Sequence, residues 1–439
     1  MNLPAQVNTA LQLLKGNGHG AYIVGGCVRD FIMCKAHTDI DITTSAEPNE
    51  VIDVFVDYKI IETGLKHGTV TVIIDAMPLE ITTYRIDGNY SDNRRPDKVS
   101  FTKSIKEDLA RRDFTINAIA YNPEVGFIDY YGGRDDIDNE IIRAVGNPKE
   151  RFNEDSLRIL RGLRFSSQLG FKIEKRTADA MFSQGDLLKN ISAERIASEF
   201  IKTLTGKNVK KVLLDYTEIF GVVIPEILSM KNFEQKTPYH IYDVLEHSLV
   251  VTENVSPVTH LKLAALLHDS GKPQAFSIDE KGIGHFYGHP DKSVIIAEEI
   301  LARLKLDNFT KERVGLLIRY HDVPIEPTEK SIKRWLNKLS PELFFELIEL
   351  KKADNIGQNP EYRSRQAELS EILEIAKKII GQAECFSLKD LAINGDDLIA
   401  TGIPEGKEIG KCLNRVLHLV MDGEIKNDYD SIMRYLSKK

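Results

Sequence analysis

Polar and apolar positions alternate along the first third of the chain, and a helical period takes over afterwards. The segment MNLPAQVNTALQLLKG has the spacing of an amphipathic opening helix and lacks a signal-peptide pattern. Ala21 to Val24 is a short apolar run of the kind that forms a buried strand. Gly25-Gly26 then allow a tight turn and close backbone approach to a ligand, and a helix begins at Val28. Asp39-Ile-Asp41-Ile-Thr43 alternates, which on a strand puts both carboxylates on one face. A short helix is expected from Pro48 to Phe55, and strands over Lys59–Thr63, His67–Ile74 and Leu79–Tyr84. Arg85 to Lys98, rich in turn formers, reads as a mobile loop carrying Arg85, Arg94 and Arg95. Arg111-Arg112-Asp113 heads a run of small residues expected to be helical, and Gly132-Gly133 marks a turn and hinge. A continuous helix is expected from Pro148 to Leu169. These patterns describe an α+β chain with a small mixed β-sheet head at 1–142, followed by all-helical segments at 143–225, 226–370 and 371–439.

Composition narrows the class. At 439 residues, 42% hydrophobic and 28% charged, the chain is an ordinary multidomain globular protein. No apolar run reaches the length of a membrane span. Cys27, Cys34, Cys385 and Cys412 form no C-x-x-C pair and no disulfide framework, so a reducing cytoplasm is expected. A net charge of −8 argues against a protein that coats nucleic acid, because that binding rests on neutralising phosphates. A locally basic cleft remains compatible with it.

Candidate chemistry starts at the glycine turn. Free N–H groups at a helix start attract phosphate. Asp39 and Asp41 repel each other on one strand face unless a cation lies between them, and such oxygen ligands suit Mg²⁺. By itself, the pair reads equally as two solvated acids on an edge strand. Glu80 is either a third carboxylate near the metal or a solvated strand acid. Arg112 suits a triphosphate and Asp113 a ribose hydroxyl, or both belong to an exposed charged helix start. Asp155, Arg158, Arg161 and Arg164 recur every three residues, a winding stripe suited to an anionic partner or to a solvated salt-bridge ladder.

In order along the chain, Gly25-Gly26-Cys27-Val28-Arg29-Asp30, Asp39-x-Asp41, Arg111-Arg112-Asp113, Gly132-Gly133-Arg134-Asp135, Glu154-Asp155-x-x-Arg158 and Ser192-Ala193-Glu194-Arg195 resemble the motifs of class II tRNA nucleotidyltransferases. These are the CCA-adding enzymes, with bacterial poly(A) polymerases as close relatives. The resemblance implies addition of C, C and A to the 3′ end of tRNA from CTP and ATP, without a nucleic-acid template. Asp39 and Asp41 would hold two Mg²⁺ ions, one activating the RNA 3′-hydroxyl and one steadying the triphosphate. Gly26, Arg29, Arg112 and Asp113 would bind the nucleotide's phosphates and sugar. Asp155 and Arg158 would read the base edge, and Arg161 and Arg164 would complete the pocket. Family members restricted to CC addition lack the loop before Arg111, whereas this chain has Arg85-Ile86-Asp87-Gly88 and Asn93-Arg94-Arg95-Pro96, which implies full CCA addition. The poly(A) polymerases' arginine-rich signature is not seen after His67-Gly68. The alternatives are a poly(A) or A-only polymerase, or a phosphohydrolase whose head only senses nucleotide.

A histidine constellation marks the third segment: six of the eleven histidines lie between His240 and His289. It resembles the HD phosphohydrolase domain found in some members of this family. His247, His268, Asp269 and Asp354 match that domain's core metal ligands, and His289 and His321 its additional ones. A divalent transition metal and phosphodiesterase or phosphatase activity are implied; the other reading is a helical body that only grips tRNA. The tail after residue 371 resembles the family's tRNA-docking helices, with Gly406 to Gly410 able to meet an RNA phosphate or to pack helices closely. No protein partner and no membrane are expected.

Overall fold

The structure, a computed structural model, describes residues 3–36, 40–65, 68–88, 99–363 and 365–437. Asp39, His67, and Asn93 to Pro96 with Arg94 and Arg95, lie outside the described residues. The chain divides into two compact units, Met1–Leu228 and Ser229–Lys439.

The first unit opens with the expected amphipathic helix, α1 (Ala5–Gly16), which buries Val7, Ala10, Leu11 and Leu14. There follow β1 (Ala21–Val24), α2 (Gly26–Ile32), β2 (Asp41–Thr44), α3 (Pro48–Val54), β3 (Lys59–Ile61), β4 (Thr69–Ile74), β5 (Met77–Thr83), the small hairpin β6 (Arg85–Asp87) and β7 (Val99–Phe101), then α4 (Ile105–Ala110), β8 (Ile119–Asn122), β9 (Gly126–Asp129) and α5 (Gly133–Asp138). Seven strands form one mixed sheet in the order β3-β4-β5-β2-β1-β8-β9. Val70, Val72 and Ile74 of β4 bury alternate positions, the period of a strand with one packed face. β2 and β5 pair in parallel with Asp41 opposite Glu80, and the sheet's other pairings are antiparallel.

Arg85 to Asp87, expected in a loop, pairs as β6 with β7, and two further local expectations change. The small residues after Asp113 form a 3-10 turn, Thr115–Asn117, and then β8, not a helix. Ala120 pairs with Val24, and Ala118 and Ala120 are fully buried, so sheet completion overrides helix propensity. The long helix is likewise two: after β10 (Ile141–Ile142) come α6 (Pro148–Glu154) and α7 (Leu157–Leu169). Asp155 between them is extended, and its carboxylate accepts from the Leu157 N–H at 3.2 Å. This local side chain–backbone bond competes with the helical one and turns the chain. The unit ends with β11 (Lys172–Ile173), paired to β10, and α8 (Lys175–Gln184), α9 (Ala193–Leu204), α10 (Val209–Asp215) and α11 (Thr217–Val223).

The second unit is helical: α12 (Val244–Glu253), α13 (Thr259–Leu267), α14 (Lys272–Ala275), the hairpin β12 (Ser277–Ile278) and β13 (Gly284–His285), α15 (His289–Arg303), α16 (Asn308–Tyr320), α17 (Glu329–Leu339), α18 (Pro341–Gly357) and α19 (Arg365–Gly381). Its tail, α20 (Gly395–Ala400), α21 (Lys407–Met421) and α22 (Tyr429–Leu436), has a small core around Leu398, Val416, Leu417 and Ile432. Among the described residues no helix is long and apolar enough to cross a membrane.

The Gly132-Gly133 turn is a packing contact. Gly132 takes a left-handed φ of +71°, and a Cβ on Gly133 would lie 2.2 Å from the Thr115 carbonyl oxygen. Gly133→Ala is therefore expected to cost about 1–3 kcal/mol, the range for overpacking a tight contact. The check is the urea midpoint; an unchanged midpoint means that the backbone at Thr115 yields.

Candidate active site and candidate metal centre

A cavity of about 620 Å³ in the first unit gathers Gly26, Arg29, Arg112, Asp113, Asp155, Arg158, Arg161 and Arg164, all eight residues expected to bind nucleotide, together with Asp41. Gly25 turns at a φ of +81°, where a Cβ would meet Arg112 Nη1 at 3.6 Å and Asp41 Oδ2 at 3.7 Å. The glycine turn thus lies between a carboxylate on one strand and a guanidinium from another segment. Glu80 is beside Asp41 on the next strand, in register and on the same face.

Seven arginines line the cavity against three aspartates. This is the basic cleft that the net charge of −8 conceals. Each guanidinium has a carboxylate partner. Arg29 donates to Asp30 at 2.7 Å and to Asn117 at 2.9 Å. Asp108, fully buried beneath the sheet residue Thr43, accepts from Arg111 at 2.7 Å and from Arg112 at 3.3 Å. Arg158 reaches Glu154 at 2.7 Å and the carbonyl of Arg111 at 2.9 Å. Arg164 pairs with Glu199 at 2.6 Å, and Arg195 with Asp155 at 3.0 Å.

Asp113 is held on both oxygens. Its Oδ1 accepts from the Phe114 N–H at 2.8 Å and from Asn117 at 3.2 Å. Its Oδ2 takes two bonds from Arg161, at 2.8 and 2.6 Å. Burial pushes its carboxyl up, but Arg161 and these hydrogen bonds outweigh burial and hold it down at about 2. Phe165 is a shared platform: the guanidinium carbons of Arg164, Arg29 and Arg161 lie 4.2, 5.3 and 5.5 Å from its ring centroid.

Sequence reading missed several of these residues. Asp108 carries a local signal, three and four residues before the arginines it holds. Glu199, Phe165, and Arg195 as a partner of Asp155 are tertiary contacts with no such spacing.

In the second unit, His247, His268, Asp269, His289, His321 and Asp354 come together around Asp269. The Nε2 atoms of His268, His289, His247 and His321 lie 3.2, 3.2, 3.4 and 3.7 Å from its carboxylate. Asp354 is 2.9 Å from His247 Nε2 and 3.8 Å from His268 Nε2. Each of the four imidazoles turns Nδ1 to a backbone carbonyl, of Gly357, Ala265, Phe286 and Ile318 respectively for His247, His268, His289 and His321. With the proton on Nδ1, every Nε2 lone pair faces inward, the arrangement that metal-binding histidines need. His247 Nε2, His268 Nε2 and Asp269 Oδ2 are buried, and both ring nitrogens face the carboxylates of Asp269 and Asp354. The donor set therefore fits a divalent transition metal. Two further residues support it: Lys272, 2.7 Å from Asp269, and Gly357, where a Cβ would press on His247 at 2.8 Å.

Comparison with known proteins decides the family. Residues 21–143 match a model of the poly A polymerase head domain. Residues 170–231 match a probable RNA and SrmB-binding site of polymerase A, and residues 293–436 a tRNA nucleotidyltransferase domain 2. A CCA-adding enzyme of Lactobacillus helveticus is 33% identical over 427 residues, 97% of this chain and 95% of that protein. The chain belongs to the CCA-adding enzymes. A CCA-adding enzyme from Anoxybacillus flavithermus is 47% identical over 229 residues, 52% of this chain and 57% of that protein. The fold agrees with the CCA-adding enzyme of Bacillus stearothermophilus in complex with CTP, at a TM-score of 0.73 and 28% identity, covering 100% of this chain and 98% of that one. The Thermotoga maritima CCA-adding enzyme complexed with tRNA shares the fold, at a TM-score of 0.62 and 21% identity over 99% of this chain and 96% of that one. As a member of the CCA-adding enzymes the chain is a tRNA nucleotidyltransferase, and the nucleotidyltransferase fold implies dependence on a divalent metal.

The ion pair of Asp113 and Arg161 predicts a pH signature. With Arg161 present, ionised Asp113 contributes stability above the usual carboxylate range and loses it only as pH falls toward about 2. In Arg161→Gln the largest influence that lowers the carboxyl is gone, so burial weighs more against Asn117 and Arg158, the carboxyl rises, and its charge is less well supported at neutral pH. The stability deficit of Arg161→Gln relative to wild type should be largest near pH 7 and shrink below about pH 4. Thermal melts across that range measure it; a deficit independent of pH would contradict the assignment.

Proposed function

We propose that this chain adds C, C and A to the 3′ end of tRNA from CTP and ATP, with the arginine-lined cavity holding the incoming nucleotide. The observation that carries the reading is the concentration of seven guanidiniums around one space that opens beside Asp41. Its relatives' complexes with CTP and with tRNA support the same substrates here. Within this reading the head is 1–142, the base-recognising neck 143–225, the HD-type body 226–370 and the tRNA-binding tail 371–439.

Asp41, with Asp39 and Glu80, offers hard oxygen donors of the kind that hold Mg²⁺. Two such ions, when bound, polarise the attacking 3′-hydroxyl and neutralise charge on the leaving pyrophosphate. The protein's own residues do the rest. Arg29 and Arg112 neutralise triphosphate oxygens and Asp113 accepts from a ribose hydroxyl. C and A share an edge in which an exocyclic amine lies next to a ring nitrogen that accepts. Asp155 accepts from that amine and Arg158 donates to the ring nitrogen, whereas U and G present the opposite pattern. Arg195 and Glu154, their partners in the structure, keep both groups oriented between nucleotides.

The second unit we assign as a metal-dependent phosphohydrolase of the HD type, its buried cluster of inward-facing Nε2 atoms and carboxylates supporting that reading. His247, His268, Asp269 and Asp354, with His289 and His321 as additional ligands, would hold a divalent transition metal, which would supply a bound water as nucleophile toward a phosphate ester.

Two experiments test these assignments. A tRNA lacking its 3′ end should gain two residues with CTP and a third once ATP is added, and Asp41→Ala should slow incorporation on the order of a thousandfold. Long A tails on arbitrary RNA would sink the reading. For the second unit, elemental analysis should find a divalent transition metal in the purified wild-type chain and little in His268→Ala; equal contents would remove the metal site.

A further inference from the structure

Next to the histidine cluster a separate cavity opens, of about 370 Å³, a volume suited to one small ligand. His289 and Lys272 form part of its lining, and both also reach Asp269, at 3.2 and 2.7 Å. Another part is the end of the β12–β13 hairpin and the residues after it, with His285, Phe286 and Tyr287. The rings of His285 and Tyr287 are parallel, 5° apart in orientation with centroids 5.4 Å apart. Tyr287 is 79% exposed, and Tyr239 and Ile283 on the same lining are also exposed. Large rings left in water around a cavity mark a surface kept for a ligand, since a core would have buried them.

We propose that His285 and Tyr287 form a stacking platform for the base of an unpaired nucleotide, whose phosphate points toward Lys272 and His289. The proposal rests on the hydrolase reading of this unit and deepens it by naming the substrate class. The exposed ring of Tyr287, backed by the parallel ring of the half-buried His285, meets the π-face of any base, whereas a sugar phosphate would leave that face wet. Lys272 is buried and cationic at the other end, with its ammonium 5.3 Å from the Phe286 ring centroid, so the aromatic surface runs up to the charge that receives phosphate.

The full-length chain is photolabelled with 8-azidoadenosine 5′-monophosphate and the labelled peptides are mapped. Labelling within residues 283–289, lost in Tyr287→Ala and kept in Tyr287→Phe, is the expected result. In the metal-loaded enzyme, the ratio of kcat/KM for AMP to that for ribose 5-phosphate should fall about tenfold in Tyr287→Ala, as loss of one base stack predicts, and hold in Tyr287→Phe. No label at 283–289, or label there that Tyr287→Ala does not diminish, overturns the platform. Release of phosphate from neither compound defeats the hydrolase reading, and the labelling pattern then decides the platform alone.

Discussion

Seven like charges around one cavity are the constraint from which the first unit is built. Two guanidiniums at 4 Å repel by about 4 kcal/mol at an effective dielectric of 20, so no empty pocket could hold seven without support. The chain supplies it as a ring of carboxylates behind the arginines: Asp30, Asp108, Asp113, Glu154, Asp155 and Glu199. Those carboxylates come from the sheet-side helices and the helical half alike, which ties the two halves of the unit together at the site. Phe165 adds a neutral surface on which three guanidiniums can approach one another.

The second unit solves the opposite problem. Its four imidazoles converge on one carboxylate, and protonation of all of them would build up positive charge in a buried space. Backbone carbonyls accept from Nδ1 and so orient each ring with Nε2 inward. Lys351 holds the backbone at one of these histidines: burial pushes its ammonium down to about 8, and it donates to the carbonyls of His321 and Val323. Arginine, which stays charged, and histidine, which need not, thus receive different kinds of support.

Much of both sites was legible in the sequence because their groups recur in ordered motifs with distinctive chemistry. All eight nucleotide-binding candidates line the same cavity, and the six HD candidates form one cluster, four histidines at Asp269 and two of them also at Asp354. What escaped depends on distance along the chain. Glu199 and Arg164 are 35 residues apart, and no local period announces their meeting. The break at Asp155 escaped for another reason: the residues around it have helical spacing, and only the carboxylate's bond to Leu157 N–H ends the helix. The run after Asp113 was misread as helix because small residues suit both helices and crowded central strands, and pairing with β1 made the choice.

The parallel pairing of β2 with β5 has a consequence for how this protein can change. Asp41 and Glu80 are 39 positions apart in sequence, yet the ladder fixes them side by side. Side-chain direction in a strand alternates with every residue, so adding or losing one residue in either strand would turn its carboxylate to the other face of the sheet. Residues between the strands are under no such parity rule. Length variation in the head is thus tolerable in its connections and forbidden in steps of one within these two strands, which makes the ladder a counting device that guards the spacing of these two charges.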